Sequence, residues 1–335
     1  MILTVTLNLA IDVTYHLARV EWRRTNQVVS VARRAGGKGV NVARTLHSLG
    51  RDVVVTGLVG GSTGAAARAE LASGGLVDAT VEVAGESRTT LIVVEEDGGV
   101  TGFSEPGPLV SSEEWERFRE SFSRLVAGAA AVVLSGSVPP GLPVDAYAQL
   151  IGIAGEAGVP VVLDSHGEPL VCGLRARPAI VKVNTDELFE VIDAEDVVCG
   201  ANRLREMGAG AAVVSMGPDG LVGLSDAGAW KAAPPERLRG NATGAGDAAS
   251  AAFVSGLVDG RLWPESVADA AALSAAAAAA PLAGSFDEAV YRRLRSRIVA
   301  EPLSEVGAKP CRERSSPLKS SVRRGVEQSG SSSGS

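Results

Sequence analysis

Residues Ala129–Ser165 read AAAVVLSGSVPPGLPVDAYAQLIGIAGEAGVPVVLDS. Two apolar runs, Ala131–Ser135 and Pro160–Asp164, frame the segment DAYAQLIGIAGEAG, whose apolar residues repeat at helical spacing. Neither run alternates with polar residues, which is the pattern of strands buried on both faces. Strand, helix and strand in this order make a parallel pair joined by a crossover helix. That unit decides the fold class.

The same plan extends in both directions. Strands are expected at Leu3–Leu7, Asp52–Leu58, Ile180–Val183 and Ala211–Ser215. Helical patterns lie between them. Val42, Leu46 and Leu49 share one face and Gly50 follows as a stop signal. SSEEWERFRESFSRLV opens with a cap and early acids, and GANRLREMGAG follows the same pattern. The alternation predicts an α/β domain with a mostly parallel central sheet and helices on both faces. Two segments break it. Residues 11–35 read as two antiparallel strands, and residues 88–103 as a hairpin around EDGG. Together they predict a small separate sheet, a lid that excludes water from a cleft. The alternative is two surface hairpins with no such role. We expect the folded domain to span residues 1–300. Residues 301–335 are Ser- and Gly-rich without periodicity, which predicts a disordered tail.

Composition narrows the function. The net charge is −7 with acids and bases mixed, so no basic stripe points to nucleic acid and anion binding must be local. Cys172, Cys199 and Cys311 are odd in number and widely spaced, with no metal-ligand spacing and no disulfide framework. A reducing, cytoplasmic location is the expectation. The N-terminus lacks a basic n-region and carries Asp12, unlike a signal peptide. The alanine-rich run Ala270–Gly284 is shorter than the ~18 residues of a membrane span, so a buried, tightly packed helix is expected and no membrane partner. No P-loop, HExxH or GxSxG motif occurs, and the three histidines, His16, His47 and His166, make histidine-based metal or triad chemistry a poor fit.

Two glycine-rich stretches remain, each running into a helix. RGNATGAGDAASAAFVSGL (Arg239–Leu257) places Gly244 and Gly246 beside Asp247 at a helix start, and RAGGKGVNVARTLHSLG (Arg34–Gly50) places Gly36, Gly37, Lys38 and Gly39 before another. A helix start exposes unpaired N–H groups and partial positive charge, which suits an anion. Each stretch alone is also an ordinary capped turn, with Asp247 a favourable dipole partner. Two of them in one chain point to phosphate chemistry.

The ordered set of motifs resembles the ribokinase-like, or PfkB, carbohydrate kinases, and within them the 1-phosphofructokinase and tagatose-6-phosphate kinase branch. TVTLNLAID, GGKGVNVARTLHSLG, SEPGPLVSSEEWERF, LSGSVPPGLP, VVLDSHGEPL, VKVNTDELFE, VVSMGPDGLVGL and NATGAGDA match in order from Met1 to about residue 300. Leu9 and Val183 stand where the branch has proline. The resemblance implies a ribokinase-like three-layer α/β/α domain with a small β-sheet lid, using ATP and Mg²⁺. It implies that Gly244, Ala245, Gly246 and Asp247 are catalytic. The N–H groups of Ala245, Gly246 and Asp247 would form an anion hole for the migrating phosphoryl group, with Asp247 the general base. Asp12, Gly37, Lys38, Asn41, Arg88 and Ser137 would bind the sugar or its phosphate. Asn184, Ser215, Gly217, Gly220 and Thr243 would contact the nucleotide, and Glu187 would organise Mg²⁺. Read locally, NTDEL is also an ordinary helix start, GPDG a plain turn, Asp12 a turn cap, Arg88 a solvated lid charge and Ser137 a loop hydroxyl.

The lid run Arg88-Thr89-Thr90-Leu91-Ile92 departs from the branch pattern R-x-N-x-K at Thr90 and Ile92, which removes one cation near the substrate phosphate. Lys38 and Arg88, with Arg34 or Arg44, would still leave positive charge for a phosphate. The expected reaction converts fructose 1-phosphate to fructose 1,6-bisphosphate. Tagatose 6-phosphate, fructose 6-phosphate, another hexose or a nucleoside are alternatives within the fold. A non-catalytic sugar-phosphate sensor is the alternative of another class, and the absent N-terminal dinucleotide fingerprint argues against an oxidoreductase. The expected partners are a small sugar or sugar phosphate and, through the lid strands, a second copy in a homodimer.

Overall fold

The computed structural model describes residues 1–236 and 243–303. The chain begins with β1 (Ile2–Thr6), leaves the central sheet for the pair β2 (Ala10–Leu17) and β3 (Ser30–Gly36), and returns through α1 (Lys38–Ser48) to β4 (Val53–Val59). Next come α2 (Gly61–Ser73), the short strands β5 (Val77–Asp78) and β6 (Val81–Glu82), and the hairpin β7 (Arg88–Glu95) and β8 (Val100–Ser104). Alternation then sets in: α3 (Ser112–Val126), β9 (Ala131–Ser135), α4 (Ala146–Glu156), β10 (Val161–Asp164), α5 (Gly167–Arg175) and β11 (Ile180–Asn184). It continues with α6 (Thr185–Val191), α7 (Val197–Glu206), β12 (Ala211–Ser215) and the hairpin β13 (Leu221–Ser225) and β14 (Gly228–Ala232). Helices α8 (Ala245–Asp259), α9 (Trp263–Ala278) and α10 (Glu288–Arg295) and the edge strand β15 (Glu301–Pro302) complete the described chain.

The central sheet runs β15-β14-β13-β12-β11-β10-β9-β1-β4-β5, with β6 also on β4. Its strands from β12 to β4 are parallel, and the β13–β15 edge is antiparallel. Side chains alternate between two cores, as the pleat requires. Ala131 and Val133 of β9 pack with α1, α8 and α9, while Val132 and Leu134 pack with α4. Ala211 and Val213 of β12 join the first core, Ala212 and Val214 the second. Both faces are therefore covered, which explains the continuous apolar runs, and the architecture is three-layer α/β/α.

Local chemistry explains where the helices begin. α3 starts on a capping box in which Ser111 Oγ accepts from Glu114 N and Glu114 Oε2 accepts from Ser111 N. The alanine-rich run lies mostly in α9, packed against the equally small-residue α8. Among the described residues no helix is long and apolar enough to cross a membrane.

The lid is a four-stranded sheet of its own, order β3-β2-β7-β8. Residues 11–35 form the antiparallel pair and residues 88–103 the hairpin. The two meet in a parallel pairing of β2 with β7.

Two expectations need correction. The boundary at residue 301 cuts through ordered structure, because Glu301 and Pro302 pair with β14 and Leu303 N donates to Ala229 O. The rest of the expected tail, 304–335, lies outside the described residues. Cys172 is free, but Cys199 is disulfide-bonded, so the absence of bridged cysteines does not hold.

Candidate active site

The C-terminal ends of the parallel strands meet the N-termini of α1, α6 and α8 under the lid, which is where open α/β sheets place ligands. A cavity of about 520 Å³ opens there. It is lined by Asp12, Gly37, Lys38, Asn41 and Arg88 on the lid and α1 side, and by Asn184, Glu187, Ser215, Gly217 and Gly220 on the sheet side. Thr243, Gly244, Ala245, Gly246 and Asp247 close it. Of the residues given a catalytic, sugar-binding, nucleotide-binding or Mg²⁺ role by the resemblance, Ser137 alone is not on this wall. It lines an adjoining cavity of about 380 Å³ that shares Gly37, Lys38 and Arg88, and its Oγ accepts from Asn8 Nδ2 at 3.1 Å. Asn241 and Ala242 of the second glycine-rich motif lie outside the described residues.

Gly244 caps α8 with φ 87°, a left-handed conformation that favours glycine. Ala245, Gly246 and Asp247 are the first three helical residues, so their N–H groups have no partner within the helix. The turn is closely packed at Gly246, where an added Cβ would stand 2.6 Å from Lys182 Nζ and would push that ammonium aside. Asp247 is 5 % exposed, and its Oδ2 accepts from Asn41 Nδ2 at 2.9 Å. Burial raises its pKa to about 6, and the charge of Asp164 adds to the rise against Lys38, Lys182 and the Asn41 hydrogen bond. A carboxyl group in this state gains and loses a proton near neutral pH, as general-base work requires.

The start of α1 is built differently. Gly37 caps it at φ 101° with no side-chain hydrogen bond. Lys38 Nζ donates to Asp164 Oδ1 and to Glu187 Oε1, both at 2.8 Å. Asp164, at the end of β10, is fully buried and also accepts from Lys182 Nζ and Ser250 Oγ, each at 3.0 Å, through Oδ2. Burial pushes its pKa up, but Lys182 and Lys38 outweigh that and hold it at about 2. For Lys38 burial works against the charge, and Asp164, Glu187 and Asp247 more than compensate, so the ammonium is firmly retained. The cation expected to reach the sugar phosphate is thus already held by two carboxylates.

Asn184 and Glu187 form a second capping box at the start of α6: Asn184 Oδ1 accepts from Glu187 N at 2.9 Å, and Glu187 Oε2 accepts from Asn184 N at 2.8 Å. The local helix-start reading and the cavity position are therefore both true of this pair. Beyond it, Ser215 ends β12, and a single 3₁₀ turn, Gly217–Asp219, leads to Gly220, whose N–H and carbonyl close the turn against Gly217 and Met216.

On the lid, Arg88 Nε donates to Asn8 O at 3.0 Å, and no carboxylate lies within ion-pair distance among the described residues. Asp12 faces it; burial raises the Asp12 pKa against the Arg88 charge and a Thr90 hydrogen bond. Thr90 and Ile92 also line the main cavity, so both departures from the branch pattern sit at the site. Arg34 and Arg44 do not line it. Arg44 is buried against Glu70 and Ala35 O, and Arg34 lies 3.9 Å from the same Glu70 carboxylate, which corrects their reading as spare charge for a phosphate. Asp164 and Lys182 are the site residues that sequence reasoning missed. Their only signal is a charged residue in or closing an otherwise apolar strand, VVLDS and VKVN.

Comparison with known proteins identifies the family. The pfkB family carbohydrate kinase model matches residues 5–289. Phosphofructokinase-2 from Escherichia coli, solved with substrates and products, is 28 % identical with a TM-score of 0.81, covering 88 % of this chain and 98 % of that one. A possible 1-phosphofructokinase from Thermotoga maritima is 25 % identical with a TM-score of 0.82, covering 90 % and 99 %. Ribokinase from Arabidopsis thaliana, at 21 % identity and a TM-score of 0.69 over 88 % and 98 %, shares the fold. The chain belongs to the pfkB family of carbohydrate kinases.

Proposed function

We propose that the chain transfers the γ-phosphoryl group of ATP to a hydroxyl of a sugar phosphate, with fructose 1-phosphate the first candidate and fructose 1,6-bisphosphate the product. One observation carries the reading: a buried carboxyl with a raised pKa stands in the first turn of α8, beside N–H groups without helical partners, on the wall of the cavity under the lid. The sugar hydroxyl oxygen attacks the γ-phosphorus, its proton passes to Asp247, and ADP leaves with the bridging oxygen. The amides of Ala245, Gly246 and Asp247 take up charge on the migrating group, so positioning and electrostatics supply the catalysis. Asp12 accepts from sugar hydroxyls, Arg88 holds the acceptor phosphate, and Gly37, Asn41 and Ser137 frame the sugar. Asn184, Ser215, Gly217, Gly220 and Thr243 border the nucleotide.

The donor set fits Mg²⁺. Glu187 places a carboxylate on the cavity wall, with Oε1 accepting from Lys38 and Oε2 from Asn184 N, so it would meet the ion through its remaining lone pairs or through water. Mg²⁺ keeps much of its water and binds through few protein oxygens plus phosphates. When bound with the nucleotide it would neutralise phosphate charge.

The phosphosugar reading draws support from Arg88, a partly buried cation on the cavity wall whose charge is met by Asp12 and Glu105 only from beyond ion-pair distance, so an acceptor phosphate could approach it more closely than either. The similarity to both phosphofructokinase-2 and a possible 1-phosphofructokinase leaves fructose 6-phosphate and tagatose 6-phosphate as alternatives. The edge strand β8, exposed along its length, supports pairing of lids between two copies. Dependence on ATP and a phosphorylated sugar fits a cytoplasmic location.

A coupled ADP-release assay over fructose 1-phosphate, fructose 6-phosphate, tagatose 6-phosphate, free fructose and a nucleoside tests this. The expected result is fastest turnover with fructose 1-phosphate. Calorimetric binding of the phosphosugars without any turnover would favour the sensor instead.

A further inference from the structure

We propose that Arg34 is a positioning residue that ties the lid to the catalytic base through the loop Ala283–Ser285. The inference rests on Asp247 being that base. Arg34 lies on β3 directly opposite Asp12 in the β2–β3 register, so the two share one stretch of lid. Its Nη1 leaves the lid altogether, donating to Ala283 O at 3.3 Å and to Ser285 Oγ at 3.1 Å, about 250 residues further along the chain.

That loop is wedged against the site on its other side. A Cβ on Gly244 would stand 3.1 Å from Ala283 Cα and from Gly284 N. A Cβ on Gly284 would stand 3.1 Å from Asn41 Cα and Oδ1. Asn41 in turn donates to Asp247 at 2.9 Å. A contiguous set of contacts therefore runs from Arg34 through the loop to Gly244, which caps the anion hole, and to Asn41, which orients the base.

A salt bridge alone does not account for this geometry. The Glu70 carboxylate lies 3.9 Å from Arg34 Nε and is more closely engaged by Arg44 and by Ala35 N. Arg34 instead spends its terminal nitrogen on a carbonyl and a hydroxyl. Burial and the like charge of Arg44 both depress its pKa, although a guanidinium stays charged at any working pH. Both acceptors are met by the one nitrogen, Nη1, whose two N–H bonds lie in the fixed guanidinium plane, a constraint that a lysine ammonium on a flexible stem lacks. When the acceptor engages Asp12, the neighbouring Arg34 holds the loop, and with it Gly244 and Asn41, in the arrangement seen here.

The test compares Arg34→Ala, Arg34→Lys, Ser285→Ala and the Arg34→Ala/Ser285→Ala double variant of the full chain, using ATP and the best acceptor from the panel above. Arg34→Ala should lower kcat about tenfold, the scale of a small misplacement of reacting groups, while the KM for ATP moves less than twofold. The acid limb of kcat/KM should shift upward, because the Asn41 hydrogen bond that holds the Asp247 pKa down is loosened. Ser285→Ala should act in the same direction but more weakly, Arg34→Lys should recover part of the loss, and the double variant should be no worse than Arg34→Ala. A lowered melting temperature with kcat and the acid limb unmoved would overturn the proposal, and so would strict additivity in the cycle. If instead Asp247→Asn retained full turnover, the base assignment beneath the proposal would fall, an outcome distinct from either.

Discussion

The two glycine-rich helix starts look alike in sequence and differ in electrostatics. At α8 the cap is Gly244, the first-turn residues line the cavity, and the one acid, Asp247, is buried with a raised pKa. At α1 the cap is Gly37, and the cation beside it, Lys38, is bonded to Asp164 and Glu187 from β10 and α6. We propose that the α8 start receives an anion. The other is a strut between α1, the end of the central strand β10 and α6. The lesson is that a charged residue in a phosphate-suited turn is available to a ligand only if the rest of the fold leaves it unpaired.

Asp247→Asn should separate the two starts most sharply. Loss of the base should lower kcat about a thousandfold in the ADP-release assay. The same change should stabilise the fold. The folded-state pKa of about 6 lies above the ordinary 3.8, so the carboxyl favours the folded chain only while protonated. That contribution is fully present below the unfolded value and is lost as pH rises through about 6. At pH 7 the amide should add on the order of 2 kcal/mol, seen as a melting temperature a few degrees higher, and should flatten the stability change between pH 4 and 6. In the native enzyme kcat/KM should fall below about pH 6.

Lys38→Met tests the strut. It leaves Glu187 and Asp164 short of one cation and removes a charge that holds the Asp247 pKa down. We expect kcat/KM to drop about a hundredfold and its acid limb to move up, measured as a pH–rate profile. An unshifted limb would mean that Lys38 acts on the ligand and not on the network.

Matched glycine substitutions come next. Gly246→Ala brings a methyl onto Lys182 Nζ beneath the anion hole and should cost roughly thirtyfold in kcat with little loss of stability. Gly37→Ala demands φ 101° of an alanine whose Cβ would stand 2.6 Å from Thr6 Cγ2, and should cost about 1–3 kcal/mol in a denaturant titration. Comparable kinetic and stability losses in both would erase the distinction between the two starts. The smallest effect is expected at the lid. Arg88→Ala should raise the KM for a phosphosugar about tenfold more than for the free sugar, because among the described residues lining the cavity it is the cation not bonded to a carboxylate.

Much of this was legible residue by residue. The strands Ala131–Ser135 and Ala211–Ser215 lie where their apolar runs end, because a strand buried on both faces is apolar along its whole length. The lid strands stood out because they break the helix–strand alternation. The candidate cavity residues were found because glycine-rich turns into helices carry a local signature. Asp164 and Lys182 carried none, since one charged residue near the end of a strand says nothing about its partner. The same gap hid the pairing of Lys38 and misled the reading of Arg34 and Arg44: their charge is visible in the sequence, but the carboxylates that meet it are 126 residues away for Lys38–Asp164 and 26 for Arg44–Glu70.

By itself the sequence determined the alternating α/β architecture, the lid, and the two helix starts suited to anions, because each follows from periodicity and backbone chemistry over a few consecutive residues. Only the tertiary structure decided which of those starts stays open and which cation is already taken. Charges pair through space, and the groups that bury Asp247 and hold Lys38 come from strands and helices that are neighbours only once the sheet has formed.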